Sequence, residues 1–431
     1  MIQLIYLAIL LLPINLTLSG ILLISFIISV IYKSKITNFI LIDKKYYYLY
    51  FSFILVSIIQ LILVNHPFLH FIGFIGHYFI YLLLYSSLNY YFKNKFKTSY
   101  GVSTTQEEGV GGYAPVTPET PERSSEVFSN NNQLILSSKF NQDLPKYLIY
   151  SGFILSIIGM LSFFNLISSF KLFKYNIYGA EEYLLNFQLY EGINKASSFN
   201  MNPNIMSIYL IITFFMTLFF IKEKKDFKIK YYFYEIALFT QFLAIFMTKS
   251  RGGILTLILG LIFLFLLYFK KYKLSKYYFY LFTLFLPFLI FNFNAYKELI
   301  LSIFDFSNHS NYLRIETWKI ISNIILDFPN GIGILNYDFV YPAYKPKTLQ
   351  YIPHAHNWIL QTTLESGILG ALLLFLAYFK LILSFYKEKY HLGFLILILF
   401  FTFNLTDYTL NDTRICILLI FLIFYKNIRY N

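Results

Sequence analysis

Apolar stretches long enough to cross a bilayer recur along almost the whole chain, and they limit the fold more than any other feature. A backbone surrounded by lipid has no water to satisfy its N–H and C=O groups, so such stretches fold as helices unless they close into a barrel. A barrel would alternate polar and apolar residues in short segments, and no such pattern dominates. Composition agrees, with 57% hydrophobic and 13% charged residues, where a soluble domain carries roughly 25% charged. The soluble domains that a length of 431 residues suggests are therefore excluded.

A helix needs about 20 residues to span the hydrocarbon core. The first stretch, residues 2–32, is too long for one span and carries Pro13 and Asn15 near its middle, so we expect a short helical hairpin. Further spans are predicted at 48–64, 68–91, 147–170, 204–221, 231–247, 253–269, 277–293, 358–385, 392–403 and 415–425. The expected fold is an all-α membrane protein of about 12 transmembrane helices. Met1-Ile2-Gln3 offers no basic leader or cleavage site, so the first span is expected to be retained.

Charge placement gives the orientation. Lysine clusters at 33–45, 93–97, 222–230, 270–276, 387–389 and 426–429 (the last with Arg429) fall on one side only if the first stretch is a hairpin. By the positive-inside rule that side is cytoplasmic, with both termini. The net charge of +13 thus reflects membrane topology and not nucleic acid. The loop at 294–356 balances its charges, Arg314 and Lys319 against Glu316 and Asp327 among others, and belongs outside. The chain then divides into N-terminal helices (1–98), a cytoplasmic loop (99–145), helices with a first outer loop (146–293), a large extracytoplasmic loop with short helices (294–356) and C-terminal helices (357–431). Residues 101–130 contain no Ile, Leu or Lys and read as a disordered linker. A lone cysteine, Cys416, excludes an intramolecular disulfide.

Polar groups at the outer ends of spans are the candidates for chemistry. Ser250-Arg251-Gly252-Gly253 places an arginine fork on a tight turn, either to hold phosphate oxygens or to snorkel to the interface. Residues 311–333 predict an amphipathic helix, stopped before Pro329, that could lie on the membrane and present Arg314 to a lipid-linked anion; a surface ion pair is the plainer reading. Pro353-His354-Ala355-His356-Asn357 opens the next span, and a histidine there can take a proton from a hydroxyl. It can equally serve as a structural cap. The two histidines raise a zinc reading, but the sequence shows no third ligand nearby.

Together these residues resemble the O-antigen ligase/polymerase superfamily. Its motif of His, then Asn, Ser or Gln, nine residues, Gly, two residues and a further small or aromatic residue is met by His356, Asn357, Gly367 and Gly370. Ser250-Arg251-Gly252-Gly253, Arg314 with Trp318, residues 329–333 and, more weakly, Asn202-Pro203-Asn204 match its other elements. The resemblance implies a GT-C-like glycosyltransferase at the outer face of the bacterial cytoplasmic membrane. It would be inverting and metal-independent, without cofactor, and would take a glycan from undecaprenyl diphosphate. His356 would be the general base and Arg251 and Arg314 the diphosphate ligands. His354, Asn357, Ser250, Asp407 and Arg414 are secondary candidates, the last two lining an acceptor path unless interfacial solvation alone explains them.

The expected activity is that of a polysaccharide polymerase. The alternatives are a ligase acting on lipid A-core, or a protein O-oligosaccharyltransferase. A flippase is more distant, because neither inverted repeats nor broken midplane helices are evident.

Overall fold

A computed structural model describes residues 2–14, 16–33, 68, 83–88, 143–177, 180–187, 189, 195–199, 201–223, 228–268, 293–305 and 307–430. The linker at 101–130, the span expected at 48–64, all but the last residue of that at 277–293 and most of that at 68–91 lie outside these residues.

The first apolar stretch is a hairpin. Helix α1 (Ile2–Leu11) and helix α2 (Leu16–Lys33) pack on each other across the break at Pro13, where a proline cannot continue the helical ladder. Helix α3 (Asp143–Phe163) follows. The span expected at 147–170 ends early, because strand β1 (Phe170–Ile177) pairs antiparallel with β2 (Ala180–Phe187), Phe170 opposite Phe187. This hairpin corrects the all-α expectation locally. Its strands are rich in aromatic and aliphatic residues interleaved with polar ones, a composition suited to a pleated ribbon.

The centre of the molecule is helix α4 (Pro203–Glu223), with Pro203 at its first position, where the missing N–H costs nothing. It packs against α5 (Lys228–Met247), α6 (Arg251–Tyr268), α11 (His391–Asn404) and α12 (Thr413–Tyr430). Of its most apolar window 89% is buried within the protein, against 28% for α10 (Trp358–Lys387). A helix apolar all round belongs inside such a bundle. Its hydroxyls are satisfied locally or by neighbours, as Thr217 donates to Gln241 Oε1 at 3.2 Å and Tyr209 meets Ser151 at 2.9 Å. Among the described residues α3, α4 and α10 are long and apolar enough to cross a membrane, and five shorter apolar helices accompany them. This is a helical membrane protein.

The described residues of 294–356 fold largely into short helices. These are α7 (Phe293–Phe304), α8 (His309–Asp327) and α9 (Tyr337–Tyr344). Asn308 caps α8 by accepting from the Ser310 N–H, and Pro329 follows its end. The apolar stripe of α8 is buried as predicted, at Leu313, Ile320, Ile321 and Ile324. It faces protein, however, and not a membrane surface: these residues form a separate core with Tyr341, Ile352 and Leu364 of α10. A neighbouring apolar face satisfies the stripe as fully as lipid would.

One contact explains two glycine motifs at once. Inside α10, Gly367 leaves helical geometry with φ 72° and ψ 173°, a region essentially reserved for glycine. The helix opens there, and the segment after α8 fills the gap. Ile332 N–H donates to Leu364 O at 2.8 Å, Gly333 N–H to Glu365 O at 3.0 Å, and Ile368 N–H to Pro329 O at 3.0 Å. Gly331 and Gly333 adopt the left-handed turns this path requires, at φ 86° and 91°.

Candidate active site

The site forms where the segment after α9 enters α10. Asn357 caps that helix, its side-chain oxygen accepting from Leu360 N–H at 3.0 Å while its Nδ2 donates to Leu405 O at 2.9 Å. The preceding turn is pinned on both sides. Trp318 of α8 donates its indole N–H to Ala355 O at 2.7 Å, and Ala355 N–H donates to Gln361 Oε1 at 2.7 Å. Gln361 in turn donates to the buried Glu365 at 2.7 Å. His356 is thereby held at φ 46°, a conformation few side chains adopt without support.

The half-buried His356 ring meets the buried carboxylate of Asp407, with Nδ1 3.0 Å from Oδ1. A carboxylate only accepts, so the proton lies on Nδ1 and the lone pair on Nε2. Tyr408 N–H donates to the same oxygen at 2.8 Å. Burial alone would raise the Asp407 carboxyl, but the hydrogen bond from His356 and the charges of His356 and Arg314 outweigh it and hold it down at about 2. His354 stands edge-on to His356 with ring centres 4.1 Å apart and accepts His356 N–H at 3.3 Å. Burial, then the neighbouring His356, lowers it to about 4, with Arg314 adding to the effect. It is therefore neutral at pH 7 and a weak base.

The sequence left the histidines without a third metal donor, and the fold brings Asp407 close enough to serve as one. One ligand atom from each of His354, His356 and Asp407 lies within 4.8 Å of the others. As placed, each engages a protein hydrogen bond: His354 Nδ1 with His356 N–H, and His356 Nδ1 with Asp407.

The arginine turns converge on the same region. Thr248 and Ser250 fix the start of α6, where Ser250 Oγ accepts from Gly253 N–H at 3.2 Å and donates to Asn204 Oδ1 at 2.9 Å. The weakest motif, Asn202-Pro203-Asn204, thus caps α4 through Asn202 and holds the arginine turn through Asn204. Arg251 donates to Ser302 O at 2.9 Å, the same carbonyl that accepts from Asn311 Nδ2 one turn before Arg314. Arg314 acts on three groups at once, opposing the charge of Arg251, disfavouring protonation of His354 and favouring ionisation of Asp407. Arg414 is buried and differently engaged. It grips Asp412 through Nε and Nη2 and donates to Phe199 O at 3.2 Å, joining the segment before α4 to α12.

The family model for O-antigen ligase matches residues 236–375, a stretch that includes both site arginines, His354, His356, Asn357 and Gly367. Over that stretch the chain is similar to O-antigen ligases, which supports membership of the O-antigen ligase/polymerase superfamily. No curated protein matches it. The members of this superfamily are glycosyltransferase-like ligases and polymerases acting on glycans and lipid-linked substrates. Asp407 lies beyond the matched superfamily segment, 51 residues from His356. The sequence offered it only as a candidate lining an acceptor path, and its partnership with the histidine had no local signal.

Proposed function

We propose that this protein transfers a glycan from undecaprenyl diphosphate to an acceptor hydroxyl at the outer face of the bacterial cytoplasmic membrane. The chain would cross that membrane about 12 times, keep both termini inside and build the product as a polysaccharide polymerase. The 3.0 Å contact between His356 Nδ1 and Asp407 supports this reading most directly, because it leaves Nε2 free beside a cationic region.

The acceptor hydroxyl gives its proton to His356 Nε2 while its oxygen attacks the anomeric carbon. The bond from that carbon to the phosphate oxygen breaks, its electron pair stays on the diphosphate, and the configuration inverts. Asp407 orients the imidazole and stabilises the imidazolium that forms. Arg251 and Arg314 hold the diphosphate, and their fixed forks suit its oxygens. These steps need no metal or cofactor.

Purified wild type and His356→Ala, given lipid-linked glycan, test the base. The variant should bind donor and transfer it ~10²–10⁴-fold more slowly. Transfer at the wild-type rate by a folded variant would remove His356 from the chemistry. A ladder of lengthening products supports a polymerase, whereas a single transfer to lipid A-core or to protein would show one of the alternatives.

A further inference from the structure

The site holds more positive charge than the two arginines. Lys195 lies on the segment that enters α4, and its neighbour Ala196 donates its N–H to Met247 O at 2.7 Å. That bond stitches Lys195 to the end of α5, two residues before Lys249 and four before Arg251. Lys249 holds φ 50°, a left-handed conformation that glycine or asparagine adopts at less cost. Backbone outliers of this kind cluster at ligand clamps. Its ammonium rests 5.7 Å above the ring of Phe163, at the end of α3, which fixes its direction.

Carboxylates neutralise other cations of the chain. Lys146 pairs with Asp143, Lys319 with Glu316 and Arg414 with Asp412. Among the described residues no ion pair reaches Lys195, Lys249, Arg251 or Arg314. The acid whose field reaches Arg314 is Asp407, and it is committed to His356 and Tyr408. The charges near Lys195 are those of Arg251 and Lys249, and burial together with both disfavours its protonated form. Half-buried cations gathered at the end of α5 and the start of α6 call for an anion that the described residues do not supply.

We propose that Lys195 and Lys249 extend the anion site of Arg251 and Arg314 and meet the charge that appears on the diphosphate as it leaves. This rests on the donor chemistry proposed above. A diphosphate linking lipid to sugar carries about two negative charges, and about three once the bond to the anomeric carbon breaks and its electron pair remains on phosphate. Two arginines match the charge of the bound donor, and the two lysines more than cover the one-charge increment. Interactions stronger at departure than in the bound state accelerate the step. The lysines therefore act mainly on kcat and on affinity for the departed lipid diphosphate, and little on donor KM.

The probe is farnesyl diphosphate, which carries the product's charge, titrated onto the full chain in phosphatidylcholine nanodiscs. Lys195→Gln and Lys249→Gln should each weaken its binding about tenfold or more, with kcat falling and donor KM nearly unchanged. Lys195→Arg and Lys249→Arg should restore both and report that the fold survives. If wild type does not bind the probe, the donor chemistry itself fails. If wild type binds and both glutamine variants bind equally well, the lysines have no part in the site and the inference is overturned. Repeating the titration with phosphatidylglycerol in the nanodisc separates the remaining source of phosphate. A lysine effect seen only as lost affinity for that anionic surface would assign the lysines to lipid headgroups and also overturn it.

Discussion

Replacing Gly367 with alanine tests how the two halves of the site are joined. An alanine there keeps a φ of 72° with a ψ of 173° only at a cost of about 1–3 kcal/mol. Its Cβ would also lie 2.5 Å from the carbonyl carbon of Asn330, 2.6 Å from its oxygen and 2.9 Å from its Cα. All three atoms are backbone, so no side-chain rotation relieves the overlap. The segment after α8 must retreat, loosening the hydrogen bonds of Ile332, Gly333 and Ile368 across the gap, each worth about 1 kcal/mol. We expect a loss of about 3 kcal/mol or more and a fall in kcat/KM, because the retreating segment is continuous with the helix that carries Arg314. Thermal denaturation in detergent and donor titration measure the two effects. Gly252→Ala is the control, since its Cβ meets nothing nearer than Thr406 Oγ1 at 3.4 Å. Asn330→Gly should not rescue Gly367→Ala, because the obstructing atoms remain. A Gly367→Ala protein with wild-type melting and turnover would refute the account of the joint.

Asp407→Asn should slow transfer by ~10²–10⁴-fold while donor still binds, since an amide can neither fix the Nδ1–H tautomer nor stabilise the imidazolium. The Asp407 carboxyl is depressed in the folded protein, so its stabilisation is full above its unfolded pKa near 3.9 and disappears as pH falls through about 2. Acid titration of melting temperature should show that component in wild type and not in Asp407→Asn. Arg251→Lys and Arg314→Lys should both impair transfer despite keeping the charge, and full activity in both would reduce the arginines to interfacial anchors. His354→Ala should be milder than His356→Ala, because a base held near 4 takes little part at neutral pH. Chelators should leave the wild type unaffected, and inhibition reversed by zinc would turn His354, His356 and Asp407 into a metal site.

The local features were the legible ones. Apolar length predicted α4, α5, α6, α10 and α11 within a few residues, because a helix in lipid is dictated by its own composition. The break at Pro13 and the stop before Pro329 are also written in single residues. The partner of His356 was not, since the Asp407 contact depends on how α10 and α11 pack and no spacing encodes that. Lys195 and Lys249 were passed over for the same reason. A lysine in a loop reads as solvated until the fold brings other cations beside it. The stripe of α8 was legible as apolar but not as to what covers it.

The opening at Gly367 also sets a height. At 1.5 Å per residue the whole of α10 would be about 45 Å long, well beyond a hydrocarbon core of about 30 Å. Residues 368–387 alone match that thickness. After Gly367 the exposed apolar side chains include Ile368, Leu369, Leu372, Leu376, Phe379 and Leu383, a face fit for lipid, with Lys380, Tyr386 and Lys387 exposed toward its far end. Before it, Trp358, Gln361, Thr362, Leu364, Glu365 and Ser366 are all buried against protein. A bilayer drawn around the second part would leave the first standing above it, with His356 about 15 Å over the hydrocarbon edge. The polar headgroups reach only about 5–8 Å beyond the hydrocarbon, so a lipid-linked diphosphate in the same leaflet would have to extend above them to meet the histidine.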